Sequence, residues 1–197
     1  MRKQDKDRNG KPEALLWLDF ETTGTDRTGT DRDDSLPLEV GMECTDVLGE
    51  HSFGSLHRII RPDYLDLLDM GPVAFSMHTD NGLLFELLNG SAHDDCVDAV
   101  ANAVEEYLDS LSPRFMLVPA GTNVDFDLDF LKRLDLDPDA WLSYRKFDLT
   151  TLRRYIRFLD CPEDPYKGHA GSHRVRDCIR RDINDYKWYR KLLKGAW

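Results

Sequence analysis

A chain of 197 residues with 41% apolar content can fill one good core, or at most two small ones. Its 37 acidic and 26 basic side chains leave a formal charge of −11, a poor electrostatic trap for long DNA or RNA, whose affinity comes from many basic contacts to phosphate. A short nucleic acid held by a metal and a few local donors remains compatible with that charge, and acidity is also an ordinary solubility feature.

The first twelve residues, MRKQDKDRNGKP, are polar and lack the apolar segment of a signal peptide. They read as a mobile tail before one domain spanning residues 13–197. Next, Leu15-Leu16-Trp17-Leu18 forms an apolar run of the kind found in a strand buried on both faces. The run ends in Asp19 and Glu21, which point the same way because strand positions alternate. Two like charges repel there, and the run holds no Lys or Arg to pair with them. Carboxylates are seldom buried unless they are paired or bound to a metal. Ligands made only of oxygen favour Mg²⁺ or Mn²⁺, and the end of a central strand is where α/β sheets place ligands. A metal site is therefore preferred over a charged sheet edge.

Residues 24–35, GTDRTGTDRDDS, form a polar loop. In PLEVGMEC, Leu38, Val40, Met42 and Cys44 alternate with Glu39, Gly41 and Glu43, predicting a second strand. DVLGE is a turn and HSFGSLHRII a third strand, so the chain opens as a meander. RPDYLDLLDM and SMHTDNGLLFELL read as short helices. From Ser91 to Leu111, Val97, Val100, Ala101, Val104, Leu108 and Leu111 follow helical spacing. RFMLVPAG is a buried strand, and NVDFDLDFLKRL a helix. On that helix Asp125 and Asp129 share one face. Asp127 points the other way, with Val124, Phe130 and Leu131 at its −3, +3 and +4 positions. Asp127 is thus a third carboxylate on a core-facing stripe. KFDLTTLRRYIRFL is a short strand running into a helix. Ser172 to Leu193 is a long helix with Val175, Ile179, Ile183, Tyr186 and Tyr189 on one stripe; Gly171 and Ser172 supply a loop and N-cap and place His173 in the first turn. Strands first, then strands alternating with helices, predict an α/β fold with a mixed five-stranded sheet flanked by helices. The four cysteines are scattered without a C-x-x-C pair, which fits a reduced, cytoplasmic setting, and no apolar run is long enough to cross a bilayer.

With DFETTG, NVDFD and His173 ahead of the last helix, the chain resembles the DEDDh superfamily of metal-dependent 3′→5′ exonucleases, a ribonuclease H-like fold. Within it the chain is similar to the oligoribonucleases. MGPVAFSMHTDNGL looks like their Met-x7-His-Thr-x2-Gly-Leu segment, YRKFDLTTLRR their Tyr-Arg-x2-Asp-Val-Ser-x-Leu segment, and IRRDINDYKWYR their C-terminal helix. The resemblance covers roughly residues 13–195, in order. It implies that Asp19, Glu21 and Asp127 hold two divalent ions, Mg²⁺ or Mn²⁺, and that His173 is the general base. It also implies that Tyr144, Arg145 and Thr150 cap the 5′ phosphate of a short single-stranded RNA. The Tyr would reach over from the partner of a homodimer. Asn123 and His78 fall at positions counted with the substrate-binding set.

The chain departs from the pattern in several places. The last metal-binding Asp of the family lies five residues after the His, where this chain has Cys178. Asp177, one residue early and about 100° round a helix, is taken as the fourth ligand, which needs a distorted start to the helix; the alternative is Cys178 facing the metals, with Asp177 turned aside in a surface pair with Arg181. The family's wedging leucine is Thr25 here, the tryptophan of the Met-x7-His segment is Val73, and a serine four residues before the second-motif Asp is Asn123. Exonuclease action on short RNA is the expected function. A relative acting on DNA or structured RNA 3′ ends, and a catalytically impaired nucleic-acid-binding protein, are the alternatives.

Overall fold

The computed structural model describes residues 10–24, 35–90, 94–161, 164–168 and 171–195. Residues 1–9 of the expected tail and Thr25 lie outside them. Three ten-residue strands, β1 (Glu13–Thr22), β2 (Pro37–Asp46) and β3 (Ser52–Arg61), form the antiparallel meander expected from their alternation. Next come α1 (Pro72–Asp80), α2 (Leu83–Asn89), β4 (Asp94–Cys96), α3 (Val97–Leu111), β5 (Met116–Gly121), α4 (Val124–Arg133), β6 (Phe147–Asp148), α5 (Leu149–Phe158) and α6 (Val175–Gly195). The sheet order is β4-β3-β2-β1-β5-β6. The mixed α/β sheet thus has six strands where five were expected. The extra one is β4, three residues parallel to β3, in a stretch read as the start of a helix. The helical spacing begins only at Val97, where α3 begins.

β1 is central and covered on both faces. Ala14, Leu16, Leu18 and Phe20 pack with residues of α3 and α4, while Leu15 and Trp17 pack with Leu149 and Ile156 of α5 and Ile179, Ile183, Tyr186 and Tyr189 of α6. Gly41 on β2 lets α6 cross closely: a Cβ there would lie 2.9 Å from Val175 and Ile179. α1 and α2 cover a third cluster with Leu38, Ile59 and Met70.

Three expected elements are corrected. RPDYLDLLDM is not helical, because Asp66 Oδ1 accepts from Leu68 N at 2.8 Å and Asp66 O from Asp69 N at 3.2 Å, local bonds that compete with a helix. SMHTDNGLLFELL contributes to two helices, broken at Asn81 and Gly82, the glycine at φ +82°. The last helix begins at Val175 rather than Ser172, so His173 precedes it, at φ +48°.

Candidate active site

β1 pairs with β5 only as far as Trp17, opposite Ala120, whereas its pairing with β2 continues to Thr22. The first turns of α4 lie along the edge that β5 leaves. Phe20 N donates to Asp127 Oδ1 at 3.0 Å, so the carboxylate on the core-facing stripe satisfies a strand amide that would otherwise lack a partner. Asp127 is 2% exposed, while Asp125 and Asp129 face solvent. Asp19 and Glu21 project from the Trp17 face of β1, toward α6. The second oxygens of Asp19 and Asp127, both Oδ2, are buried without a hydrogen-bond partner.

The electrostatics follow from this crowding. Burial first, then the charge of Asp182, holds the Asp19 carboxyl well above the usual range, with Arg181 opposing. Burial and then Asp19 push Glu21 up to about 9. Burial and then Asp19 also raise Asp127, with the Phe20 amide opposing. Such a group of mutually repelling carboxylates, two of them with a partnerless buried oxygen, fits a divalent cation, whose charge would reverse each of these penalties. Glu39 sits opposite Glu21 in the β1–β2 register yet behaves differently. Burial would raise it, but His57 at 2.6 Å and the Arg174 guanidinium hold it below its ordinary value. It is already neutralised and lies outside the metal-competent set.

α6 presents Cys178, not Asp177, to these acids. The Cys178 Sγ lies 4.0 Å from Glu21 Oε1, and Asp19, Glu21 and Cys178 offer ligand atoms all within 4.8 Å of one another. Burial and the Asp19 charge raise the thiol far above its ordinary range. Asp177, expected as a ligand, is exposed. It accepts from Ser172 Oγ and pairs with Arg180 at 3.2 Å, three residues on, rather than with Arg181. One turn beyond Cys178, Asp182 is buried and committed to Arg153 (2.9 Å) and Thr122 (2.7 Å). Arg153, 3% exposed on α5, also holds Asp185 at 2.6 Å. The sequence reading missed this ion cluster beneath the site. Its signal was two aspartates, Asp182 and Asp185, interrupting the apolar stripe of Ile179, Ile183, Tyr186 and Tyr189.

His78, expected at the substrate, is fully buried. Its Nε2 is 2.9 Å from Thr22 O and 4.0 Å from Glu21 Oε2. Burial lowers its pKa, so the neutral ring donates from Nε2 to the carbonyl and fixes the end of β1. His173 is exposed on the segment before α6, where Asn81 Nδ2 donates to its carbonyl at 2.6 Å. Its neighbour Arg174 ties this segment to β2 and α2 through Glu39 (2.8 Å) and Glu86 (2.7 Å).

The expected phosphate-cap residues gather near the start of α4. Asn123, in the left-handed region at φ +62°, donates its amide to Thr150 Oγ1 at 3.2 Å. Tyr144 is 79% exposed with the Arg145 guanidinium 5.2 Å from its ring centre, and Lys146 pairs with Asp125 beside them. Val73, on α1, is 66% exposed.

No model of a known protein family matches the chain. Among solved structures, it is similar to Escherichia coli exonuclease I in complex with a dA16 oligonucleotide (TM-score 0.63, 19% identity, 87% of this chain). It is similar also to exonuclease I of Methylocaldum szegediense (TM-score 0.63, 19% identity, 91% of this chain). These likenesses show the fold, and the chain spans only 39% and 40% of those longer chains. Among curated proteins, the oligoribonuclease of Aeromonas hydrophila is 28% identical over 184 residues, covering 89% of this chain and 93% of that one. The oligoribonuclease of Rhodococcus jostii is 30% identical over 190 residues, covering 91% and 87%. That of Streptomyces griseus is 30% identical over 187 residues, covering 92% and 87%. Identity at this level across nearly the whole of both chains, on an exonuclease fold with buried carboxylates at the end of its central strand, shows that the chain belongs to the oligoribonuclease family.

Proposed function

We propose that residues 13–197 form one exonuclease domain, a divalent-metal-dependent 3′→5′ exoribonuclease that hydrolyses short RNA to mononucleotides in the cytoplasm. The observation that carries this reading is the pair of buried, partnerless oxygens on Asp19 and Asp127 beside Glu21, in a chain of this family. Asp19, Glu21 and Asp127 would hold Mg²⁺ or Mn²⁺, as two ions, which would supply charge stabilisation for the attacking and leaving oxygens of phosphodiester hydrolysis. His173 would accept the proton of the attacking water at its imidazole. Its exposed position on a segment fastened by Asn81 and Arg174 supports access to solvent with a fixed backbone. Buried thiols at Cys44 and Cys178 support a reducing compartment, and no helix among the described residues is long and apolar enough to cross a membrane.

Arg145, Thr150 and a Tyr144 reaching over from the partner of a homodimer would hold the 5′ phosphate, the guanidinium by a charge-assisted fork, with Asn123 elsewhere in the substrate-binding set. A two-nucleotide substrate has few other contacts, so Arg145→Ala removes roughly 1.5–3 kcal/mol there, about a 10–150-fold loss in kcat/KM. Twenty-nucleotide RNA should lose much less. The test is end-labelled RNA of two to twenty nucleotides with Mg²⁺, Mn²⁺ or EDTA. Cleavage that survives EDTA ends the metal reading, and equal Arg145→Ala losses at every length end the cap. RNA binding without cleavage under either metal favours the impaired binding protein, the reading that Cys178 at the acid cluster keeps alive.

The reading includes a homodimer. Tyr155, Phe158 and Leu159 at the end of α5 are 53%, 77% and 57% exposed, an apolar patch that a second copy would cover. Light scattering should report twice the monomer mass; a monomer fully active on dinucleotides contradicts this.

A further inference from the structure

We propose that Cys178 is itself a metal ligand, so that the ion beside Asp19 and Glu21 is selected from softer divalent ions such as Mn²⁺, Co²⁺ or Zn²⁺ ahead of Mg²⁺. The inference rests on the metal-dependent reading above and deepens it.

Four observations converge. First, the geometry suits one ion. Metal–oxygen bonds of about 2.0–2.2 Å and a metal–sulfur bond of about 2.3 Å put an oxygen and a sulfur on one ion at most about 4.5 Å apart, and Cys178 Sγ is 4.0 Å from Glu21 Oε1. The three donors Asp19, Glu21 and Cys178 lie within 4.8 Å of each other, so closing them onto one ion takes only a small inward shift of side chains. Second, the site contains unspent ligand capacity. The Oδ2 atoms of Asp19 and Asp127 are buried without partners, and Asp127 is 2% exposed. Third, α6 offers no carboxylate in place of the sulfur. Asp177 is turned out and occupied by Ser172 and Arg180, and Asp182 is occupied by Arg153 and Thr122. Fourth, Cys178 is buried, 5% exposed, and its sulfur is turned to Glu21 rather than grouped with the three hydrophobic clusters of the described residues.

The donor set is therefore two or three carboxylates and one sulfur. On coordination the thiol proton leaves to solvent and the thiolate binds. Thiolate is a poor partner for hard Mg²⁺ and a good one for softer ions.

The test uses the full chain with Co²⁺, Mn²⁺ and Mg²⁺, read by absorbance and by thermal shift. The parent should show a thiolate-to-cobalt charge-transfer band in the near ultraviolet, and Cys178→Ser should lose it. In Cys178→Asp, the preference for Mn²⁺ over Mg²⁺ should fall about 10–100-fold. A Co²⁺-dependent rise in melting temperature without the band, or a band that persists in Cys178→Ser, overturns the thiolate while leaving the metal site intact. A parent whose melting temperature answers to none of the three ions overturns both readings.

Discussion

Glu21→Gln and Asp127→Asn should each lose about 10²–10³-fold or more in RNA cleavage while melting at a higher temperature than the parent in metal-free buffer. The two halves of this result have one cause. A carboxylate that serves a cation must converge with others and shed its solvent, and without the cation that arrangement is repulsive. Glu21 carries the effect most clearly: burial and Asp19 take it from 4.5 to about 9. A carboxyl group whose pKa is raised on folding binds its proton more tightly in the folded state. Its penalty is absent below about pH 4.5, grows as pH rises, and levels off above about pH 9. Gln removes the penalty, so the gain should appear at pH 7.5 and vanish near pH 4. A gain of about 1–3 kcal/mol corresponds to roughly 2–12 °C for a chain of this length. Asp127→Asn keeps an oxygen to accept from Phe20 N, so its backbone contact survives. Adding Mn²⁺ should reverse the order, since only the parent gains metal-binding energy. Melting in EDTA and cleavage of labelled RNA are the two measurements. A variant that melts lower in EDTA, or cleaves as the parent does, removes that residue from the site.

The sequence made the strand end legible because its signal is local. A fully apolar run closing on Asp19 and Glu21 needs only period-two alternation to place both carboxylates on one face, and Asp127 is picked out by its three apolar helical neighbours. Helical spacing also exposed the α6 stripe, all five members of which are buried. What depended on distant partners stayed hidden. Nothing near Glu39 in the sequence announces that Arg174, 135 residues on, neutralises it. His78 reads as a site residue by position, yet Thr22 claims its Nε2. The orientation of α6 turned on where it starts. Residues 171–174 form an irregular lead-in rather than a first turn, and Ser172 bonds Asp177 outward rather than capping the helix. With α6 set by Val175 and Ile179 packing over Gly41, the neighbouring Cys178 faces the acids and Asp177 does not.

Arg153→Met should destabilise the protein by about 3–5 kcal/mol, lowering the melting temperature by roughly 6–20 °C. Arg153 is 3% exposed, and its guanidinium donates to Asp182 at 2.9 Å and to Asp185 at 2.6 Å, contacts Thr122, and lies 4.4 Å from the ring centre of Tyr166. The pair of aspartates is 4% and 1% exposed. Removing the cation leaves two negative charges in a low-dielectric setting, and the cost comes mostly from those stranded charges rather than from the lost bonds. The triple variant Arg153→Met, Asp182→Asn, Asp185→Asn should therefore recover most of the loss, although it makes fewer ionic contacts than the parent. The same cluster reaches the site. The Asp182 charge already raises Asp19, and with Arg153 gone that negative charge is unscreened, so Mn²⁺ affinity should rise in the single variant and fall back in the triple one. Thermal melts and Mn²⁺ titrations of the two variants separate these effects. A single variant melting within about 2 °C of the parent would mean that solvent, not Arg153, neutralises the aspartates. A triple variant no more stable than the single one would mean that packing, not charge, is what Arg153 supplies beneath the carboxylates.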